Sequence, residues 1–377
     1  MKADWELKTL GEIYDVRDGT HDSPKYQDEG YPLITSKNLK TGRLNFERAK
    51  FISEEDYLSI NRRSKVNKGD LLFAMIGTIG NPTLVEVTPN FAIKNVALLK
   101  PPENQSVHFL KYYLETKIVM DQMKTDAKGT TQKFVGLNYL RNFQLPLPPL
   151  EEQKRIVSIL DEAFEGLDRA RENAEANLKS ARELFDATLR SVLSPPDDFK
   201  LRSGWEVKAL IDVATLQRGF DLPKKERTPG QYPLVTSSGV TDTHNQAKVK
   251  GPGVVTGRSG SIGNVFYIDQ DFWPLNTALY IKNFHKNNQR FIWYLLQLFD
   301  LNRFSSGTGV PTLNRNHVHS ESVAVPSSLE EQRRIVSVLD EVLQKNTDLQ
   351  TLYTSKLQDI SDLRQSLLQK AFAGELT

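Results

Sequence analysis

The sequence contains no cysteine, no long apolar segment and little net charge. The absence of cysteine among its 377 residues excludes disulfides, zinc–cysteine sites and thiol nucleophiles. No apolar run approaches the roughly 20 residues that a membrane helix requires, and the first residues do not have the pattern of a signal peptide. We therefore expect a cytoplasmic protein.

Catalytic and metal-binding motifs are also missing. The sequence has no glycine-rich phosphate loop ending in Lys-Ser/Thr, no Asn-Pro-Pro-Tyr-type motif and no His-Glu-x-x-His. His317 and His319 stand two residues apart without a neighbouring carboxylate–histidine arrangement, so we predict no metal site and no catalytic residue. The net charge of +2 hides an uneven distribution, because both long helical segments described below are acidic and the sequences before them are basic. Such a distribution would let the basic segments approach a polyanion while the acidic helices stay away from it, although ordinary surface variation explains the distribution equally well.

The main feature of the chain is a segment that occurs twice. Residues 150–162 read Leu-Glu-Glu-Gln-Lys-Arg-Ile-Val-Ser-Ile-Leu-Asp-Glu, and residues 329–341 repeat them with two conservative changes, Lys154 to Arg333 and Ile159 to Val338. Apolar residues continue at steps of three and four after each copy, and few glycines or prolines interrupt them. This pattern predicts two helices of about 40 residues, each about 60 Å long, with one narrow apolar face. The two faces can pair in either relative direction.

The sequences before the two helices repeat as well. Trp5-Glu6-Leu7-Lys8 returns as Trp205-Glu206-Val207-Lys208, and the intervening strand, glycine-turn and helix patterns follow in the same order. We predict an α+β chain of four segments: a globular α/β domain at 1–149, a spacer helix at 150–193, a second globular α/β domain at 194–328, and a second spacer helix with a short tail at 329–377. The predicted helix stops are Pro195-Pro196 and Gly374.

This pattern resembles the specificity subunits of type I restriction-modification enzymes. The resemblance rests on the doubled Leu-Glu-Glu-Gln-x-Arg-Ile-Val motif with prolines before it, on the closing segment 367–376, and on the loop 18–24. It implies two target-recognition domains that each contact one part of a bipartite DNA sequence, held apart by an antiparallel coiled coil that gives the internal repeat a pseudo-two-fold axis. It also implies two methyltransferase (modification) subunits that carry S-adenosylmethionine, restriction subunits that use ATP and Mg²⁺, and no cofactor in this chain.

Candidate DNA-binding residues are those in glycine-bearing polar loops at matching positions of the two repeats. Backbone amides, hydroxyls and cations suit phosphates, whereas Arg, Lys, Asn and Gln suit base edges. Each such loop is on its own more often a simple turn. The first repeat supplies Arg17, His21, Lys25, Thr35, Ser36, Lys37, Asn38, Lys128, Gly129, Thr130, Thr131, Gln132 and Lys133. The second supplies Arg218, Lys224, Lys225, Thr236, Ser237, Ser238, Arg258, Ser259, Ser261, Ser305, Ser306, Thr308, Asn314 and Arg315.

The doubled helix starts are candidate contacts for a partner subunit. Acidic residues in a first helical turn are favoured by the helix dipole, but the dipole does not require the same Gln and Arg twice. We expect a junction of domain, helix and docked modification subunit at Glu151, Glu152, Gln153, Arg155, Glu330, Glu331, Gln332 and Arg334. Two other functions stay open: a coiled-coil scaffold whose globular domains bind proteins, and a self-contained nuclease or methyltransferase.

Overall fold

The computed structural model describes residues 5–193, 201–307 and 309–376. Its two long helices are Leu150–Leu193 and Leu329–Ala373, and the residues before each helix form short strands and helices. None of the helices in the described residues is both long and apolar enough to cross a membrane. The predicted stop at Pro195 and Pro196 lies outside the described residues.

The elements of the first repeat and its helix follow one another in the order β1 Glu6–Thr9, α1 Leu10–Ile13, β2 Asp15–Asp18, β3 Tyr31–Ile34, β4 Lys50–Ile52, α2 Glu54–Ser64, β5 Leu71–Ala74, β6 Gly80–Leu84, β7 Ala92–Ile93, β8 Val96–Lys100, α3 Val107–Glu115, α4 Lys117–Asp126, α5 Leu137–Arg141, β9 Gln144–Leu147 and α6 Leu150–Leu193. Two 3-10 turns, Ser36–Asn38 and Lys40–Gly42, follow β3.

The second repeat keeps the order of the strands, has an added hairpin β18–β19, and shows no counterpart of α2 or α4 among its described residues: β10 Trp205–Ala209, α7 Leu210–Val213, β11 Thr215–Arg218, β12 Tyr232–Thr236, β13 Gly239–His244, β14 Gly253–Gly257, β15 Val265–Ile268, β16 Trp273–Pro274, β17 Ala278–Asn283, α8 Gln289–Leu298, β18 Ser305–Ser306, β19 Thr312–Leu313, α9 Arg315–His319, β20 Ser322–Pro326 and α10 Leu329–Ala373. Its 3-10 turns are Lys224–Glu226 and Leu301–Phe304.

Sheet topology repeats strand for strand. The first repeat has a four-stranded antiparallel sheet of order β2-β8-β5-β6, a three-stranded sheet β4-β3-β7, and a pair β1-β9. The second has β11-β17-β14-β15, β13-β12-β16 and β10-β20, together with the hairpin β18-β19. In each three-stranded sheet the central strand pairs parallel with the short one, β3 with β7 and β12 with β16. The predicted duplication is therefore a duplication of fold.

The chain divides into two units, and each includes part of both long helices. Unit 1 is Met1–Glu175 with Ser355–Thr377, and unit 2 is Ala176–Thr354. Each unit thus contains the start of one long helix and the end of the other, as an antiparallel pair requires. In unit 1 the guanidinium of Arg364 lies 3.7 Å from the ring centre of Phe164, and in unit 2 Arg182 donates to Gln350 at 3.3 Å.

The apolar faces of the long helices are broad where they meet the globular domains. The core of unit 1 joins Ile156, Leu160 and Phe164 of α6 to Leu368 and Ala371 of α10 and to the globular interior. The core of unit 2 does the same with a corresponding set of buried residues, Phe185, Leu189, Leu193, Ile335 and Leu339. The heptad pattern of the sequence predicted one narrow apolar face, and the further residues that pack against the globular domains widen this face near the helix ends.

The end of α10 has a clear local cause. Gly374 has a positive φ of 81°, which places it in the left-handed region that glycine adopts without strain. Its N–H donates to the Ala371 carbonyl and the N–H of Glu375 donates to the Lys370 carbonyl, at 3.1 and 2.9 Å. These bonds satisfy carbonyls that the last helical turn leaves unpaired, so the prediction of a stop at Gly374 is confirmed.

Candidate nucleic-acid interface

In unit 1 the loops predicted to contact DNA leave the same end of the four-stranded sheet. The last residue of β2, Asp18, lies opposite Ala97 near the start of β8, and the last residue of β5, Ala74, lies opposite both Val96 and Gly80. The loop after β2, the loop between β5 and β6, and the residues before β8 therefore meet at one edge. The Lys94 N–H donates to the Ile34 carbonyl at 2.9 Å, which brings the turn 35–38 to the same edge.

The loop 128–134 joins this edge by backbone pairing with the glycine turn. The Gly77 N–H donates to the Lys133 carbonyl and the Val135 N–H to the Met75 carbonyl, both at 2.9 Å. Gly129 has a φ of 101°, and a Cβ on it would lie 2.2 Å from the Gln132 carbonyl oxygen, so the tight turn requires glycine. We name the four loops 19–25, 35–38, 75–79 and 128–134 the loop edge of unit 1.

Unit 2 builds its edge with the same backbone hydrogen bonds. The Gly260 N–H donates to the Pro311 carbonyl at 3.0 Å, the Leu313 N–H to Arg258 at 2.8 Å and the Leu275 N–H to Val235 at 2.8 Å. The hydroxyls of Ser238 and Ser261 lie 3.2 Å apart, so the turn after β12 contacts the glycine turn directly. The loop edge of unit 2 comprises residues 219–225, 236–238, 258–264, 305–307 and 309–313.

The side chains on the two edges differ although the backbone framework is shared. The predicted lysines at the edge of unit 1 are exposed, namely Lys25, Lys37, Lys128 and Lys133. The loops of unit 2 present exposed hydroxyl groups of Ser238, Ser261, Ser305 and Ser306 beside exposed Lys224 and Lys225. Thr308 lies outside the described residues.

Several predicted contact residues also have partners within the chain. Arg17 donates to Asp15 from Nε at 2.9 Å, Arg218 donates to Asp221 at 3.0 Å, and Arg258 donates to the Asn276 carbonyl at 2.9 Å. The hydrogen bonds from Arg17 hold the pKa of Asp15 below its usual value. These arginines are therefore held in fixed directions by neighbours, and a base or phosphate would compete with those neighbours.

Some predicted residues have local structural roles. Asn38 is buried and accepts from the N–H and hydroxyl of Thr35, both at 2.9 Å, so it closes the turn after β3. Ser237 is also buried, and Asn314 caps α9 by accepting from the Asn316 N–H at 3.0 Å. Ser36, Thr130, Thr131, Gln132, Thr236, Ser259 and Arg315 lie on the edges or directly beside them at positions that are exposed or partly exposed. Their contacts with DNA stay a prediction.

Two asparagines at the loop edges, Asn95 in unit 1 and Asn276 in unit 2, were not predicted from the sequence. His21 and Asn95 lie 2.8 Å apart (Nδ1 to Oδ1), and at the matching positions Asn276 donates to Asp221. Asn95 lies just before β8 and Asn276 just before β17. Each asparagine side chain links that strand to the loop after β2 or β11. Gly19 and Gly219 make that approach possible, because a Cβ on either would lie 2.3 Å from the Ile93 or Leu275 carbonyl oxygen. The sequence signal for the two asparagines was the Asn-x-Ala-Leu pattern, which occurs at 95–98 and again at 276–279.

Lys124 was also not predicted from the sequence, and it lines a recess on unit 1 together with the predicted residue Lys133. The recess has a volume of about 340 Å³ and is lined by Gly77, Thr78, Ile79, Lys124 and Lys133. Two ammonium groups beside a glycine turn suit a phosphate. Among the described residues, no three His, Asp or Glu side chains form a group that could hold a metal ion.

The residues at the two helix starts fall into exposed and buried classes. Glu151 contacts Lys154 at 2.8 Å and Arg155 is exposed; Glu331 accepts from Arg334 at 2.7 Å, and these bonds lower the pKa of Glu331. Gln153 and Gln332, in contrast, are buried, with their amide atoms bonded inside the chain. Glu152 is partly buried and Glu330 is exposed. The expected contact of this set with a partner stays a prediction.

Comparison with known proteins relates the whole chain to one family. The model of the type I restriction modification DNA specificity domain matches residues 2–178 and again residues 202–358. The MjaIX specificity subunit of Methanocaldococcus jannaschii is 23% identical over 100% of this chain and 94% of its own length. The EcoBI specificity subunit of Escherichia coli is 26% identical over 48% of this chain and 37% of its own length.

Solved structures agree on the fold. A chain from a structure on the assembly and conformational transition of the type I R-M system superposes with a TM-score of 0.79 at 19% identity, covering 100% of this chain and 99% of that one. The HsdS subunit from Thermoanaerobacter tengcongensis gives 0.55 at 20% identity, covering 100% and 98%. Because the family model matches both repeats, the chain belongs to the family of type I restriction-modification specificity subunits, with two DNA-recognition domains in tandem.

Proposed function

We propose that each unit reads one half of an asymmetric, two-part DNA target and that the long helices set the gap between the halves. The observation that carries this proposal is the duplicated loop edge, in which one hydrogen-bonding framework supports two different sets of side chains. A framework used twice favours two similar binding events, and different side chains favour different half-sites. The target is then asymmetric.

The chain contributes recognition and contains no catalytic group of its own in this proposal. Two modification subunits supply adenine methylation with S-adenosylmethionine, and restriction subunits that use ATP and Mg²⁺ supply cleavage where they are present. The exposed residues at the helix starts, Glu151, Arg155, Glu330 and Arg334, are the proposed docking points. The acidic helices repel the DNA backbone, which leaves their outer faces to protein partners.

The experiment that tests this function is a selection from random duplex DNA with the chain co-expressed with its modification subunit. We expect two short, unlike motifs at one fixed spacing. A single motif, or no enrichment at low salt with the complex intact, would contradict the proposal and favour a coiled-coil scaffold whose domains bind proteins. Activity of the purified single chain on DNA would instead favour a self-contained enzyme.

A further inference from the structure

Each long helix is attached to its own globular domain by a buried glutamine. The Gln153 side chain is 0% exposed; its Oε1 accepts from the Ser106 N–H at 3.0 Å, and its Nε2 donates to Gln105 Oε1 at 2.7 Å and to the Pro148 carbonyl at 2.8 Å. Ser106 is the N-cap of α3. The carboxamide therefore ties the start of α6 to the start of α3.

Unit 2 repeats this contact with different partner side chains. Gln332 Oε1 accepts from the Asn288 N–H at 2.8 Å, and Nε2 donates to Asn287 Oδ1 at 2.7 Å and to the Pro326 carbonyl at 3.1 Å. Asn288 is the N-cap of α8, as Ser106 is of α3. The cap residue and its neighbour have changed between the repeats, whereas the glutamine and the three kinds of bond are the same.

A second polar contact lies about two helical turns further along each long helix. The Tyr112 hydroxyl donates to Asp161, and the Tyr294 hydroxyl donates to Asp340 at 2.5 Å. Asp161 follows Gln153 by eight residues, and Asp340 follows Gln332 by the same number, which is about 12 Å along the axis. Two polar contacts this far apart resist rotation of the helix on the domain better than one does, and they add to the apolar packing of the same segment.

Buried polar groups are not the most stabilising way to hold a long helix against α3 or α8. Burying a carboxamide or hydroxyl costs free energy unless all its hydrogen bonds are made, and a leucine of similar size would avoid that cost. Directional bonds have a different effect, since they are satisfied in only one orientation. Buried polar groups at packed helices can select one geometry in this way.

We propose that Gln153 with Tyr112, and Gln332 with Tyr294, are positioning residues that fix the angle between each recognition domain and its spacer helix and so restrict the gap that the protein accepts. The inference rests on the proposed two-part target. A site whose gap is one base pair too long fits only if DNA or protein deforms, and short duplex DNA is stiff because its persistence length is about 150 base pairs. The stiffness of the domain–helix junction then determines how strongly a wrong gap is rejected.

The first test measures the junction without DNA. The chain has no cysteine, so Glu55→Cys on α2 and Glu172→Cys on α6, both exposed, give a spin-label pair within unit 1 of the full chain. We expect the distance distribution to broaden in Gln153→Leu and more in Gln153→Leu with Tyr112→Phe. The control is Gln358→Leu, the same change at an exposed position whose side chain donates to Asp362 at 2.9 Å.

The second test measures gap discrimination in the complex with the modification subunit. We expect discrimination against gaps one base pair longer or shorter to fall by about tenfold in the double variant, which corresponds to about 1.4 kcal/mol. The preferred bases of both halves stay the same, and Gln358→Leu matches the parent chain. Tyr112→Phe removes one hydroxyl and keeps the ring, so this single variant takes the place of the double variant in both tests if the glutamine variant fails to fold.

The outcomes separate this inference from the proposed function. An unchanged distance distribution in the folded double variant, or a broadened one with unchanged gap discrimination, would overturn the positioning role while the two-part target stands. If the parent chain selects no two-part target, the proposed function fails and the role of these residues in gap selection fails with it. The spin-label result still reports whether the two contacts hold the helix to its domain.

Discussion

Protonation of His319 should destabilise the protein as the pH falls below 7. His319 is 8% exposed on α9, and its Nε2 accepts from the Leu216 N–H at 2.9 Å. Leu216 belongs to β11, an edge strand of its sheet, so the imidazole satisfies a backbone donor that the sheet leaves unpaired. Burial, and secondarily the charge of Arg315, lower the pKa of His319. A protonated ring would carry a proton on Nε2 and could not accept this bond.

The direction of the pH effect follows from the lowered pKa. Below about pH 6.5, the ordinary histidine value, the unfolded chain binds a proton that the folded chain does not. The free energy of unfolding therefore falls with decreasing pH, by at most about 1.4 kcal/mol per pH unit for one group. At pH 5 the largest possible loss is about 2 kcal/mol, reached if the folded ring binds no proton there. For a unit of this size that loss lowers Tm by about 4–8 °C.

Thermal unfolding of the parent chain and of His319→Gln between pH 5 and 8 measures the effect. The glutamine can still accept from Leu216 and does not titrate, so we expect its Tm to change less with pH than that of the parent. His317→Gln is the matched control, because His317 is exposed on the same helix. Equal pH dependence in the parent chain and His319→Gln would refute the reasoning.

Three further changes have defined outcomes. Asn346 of α10 is 8% exposed and its Oδ1 has no partner among the described residues, so Asn346→Leu should raise the free energy of unfolding by about 1–2 kcal/mol in denaturant titrations, and a lower value would contradict this. Replacing Lys128 and Lys133 by Gln should reduce the slope of log affinity against log salt by about 2, with Lys179→Gln on α6 as the control without effect. Deleting one heptad from each long helix should shorten the selected gap by about 3 base pairs and leave both halves unchanged, since seven helical residues span about 10 Å.

The helical part of the fold was predictable because its signal is local and repeated. A heptad pattern of apolar residues over more than 40 residues has few alternatives, and the second helix ends before Gly374 as the sequence predicts. Their antiparallel pairing was not determined by the apolar faces and came only from the family resemblance. The pairing depends on the domain that returns the chain, which the helix pattern does not describe.

The loop edge was predictable only in outline. Internal repetition identified which loops correspond, because Gly77 and Gly260 stand at equivalent places next to strands. It did not reveal that Asn38 is buried in its own turn or that Arg17 lies against Asp15, since both depend on the path of the chain in three dimensions. A polar residue in a loop has the same appearance in a sequence whether its partner is a neighbour or a ligand.

Gln153 and Gln332 show why the sequence supports two interpretations of one motif. Their repetition indicates a requirement that the helix dipole does not explain, and the sequence predicts that they lie at a junction of domain, helix and docked modification subunit. The structure supplies a sufficient requirement within each unit, because the cap of α3 or α8 and the preceding proline carbonyl occupy every hydrogen-bonding atom of the side chain. Docking residues for a partner are therefore better sought among the exposed members of the same segments, Glu151, Arg155, Glu330 and Arg334. Charge reversal at these four positions should weaken assembly with the modification subunit, measured by co-purification, while the gap selected by the remaining complexes stays unchanged. If assembly is unaffected and the gap changes, the division of roles between buried glutamines and exposed charges is wrong.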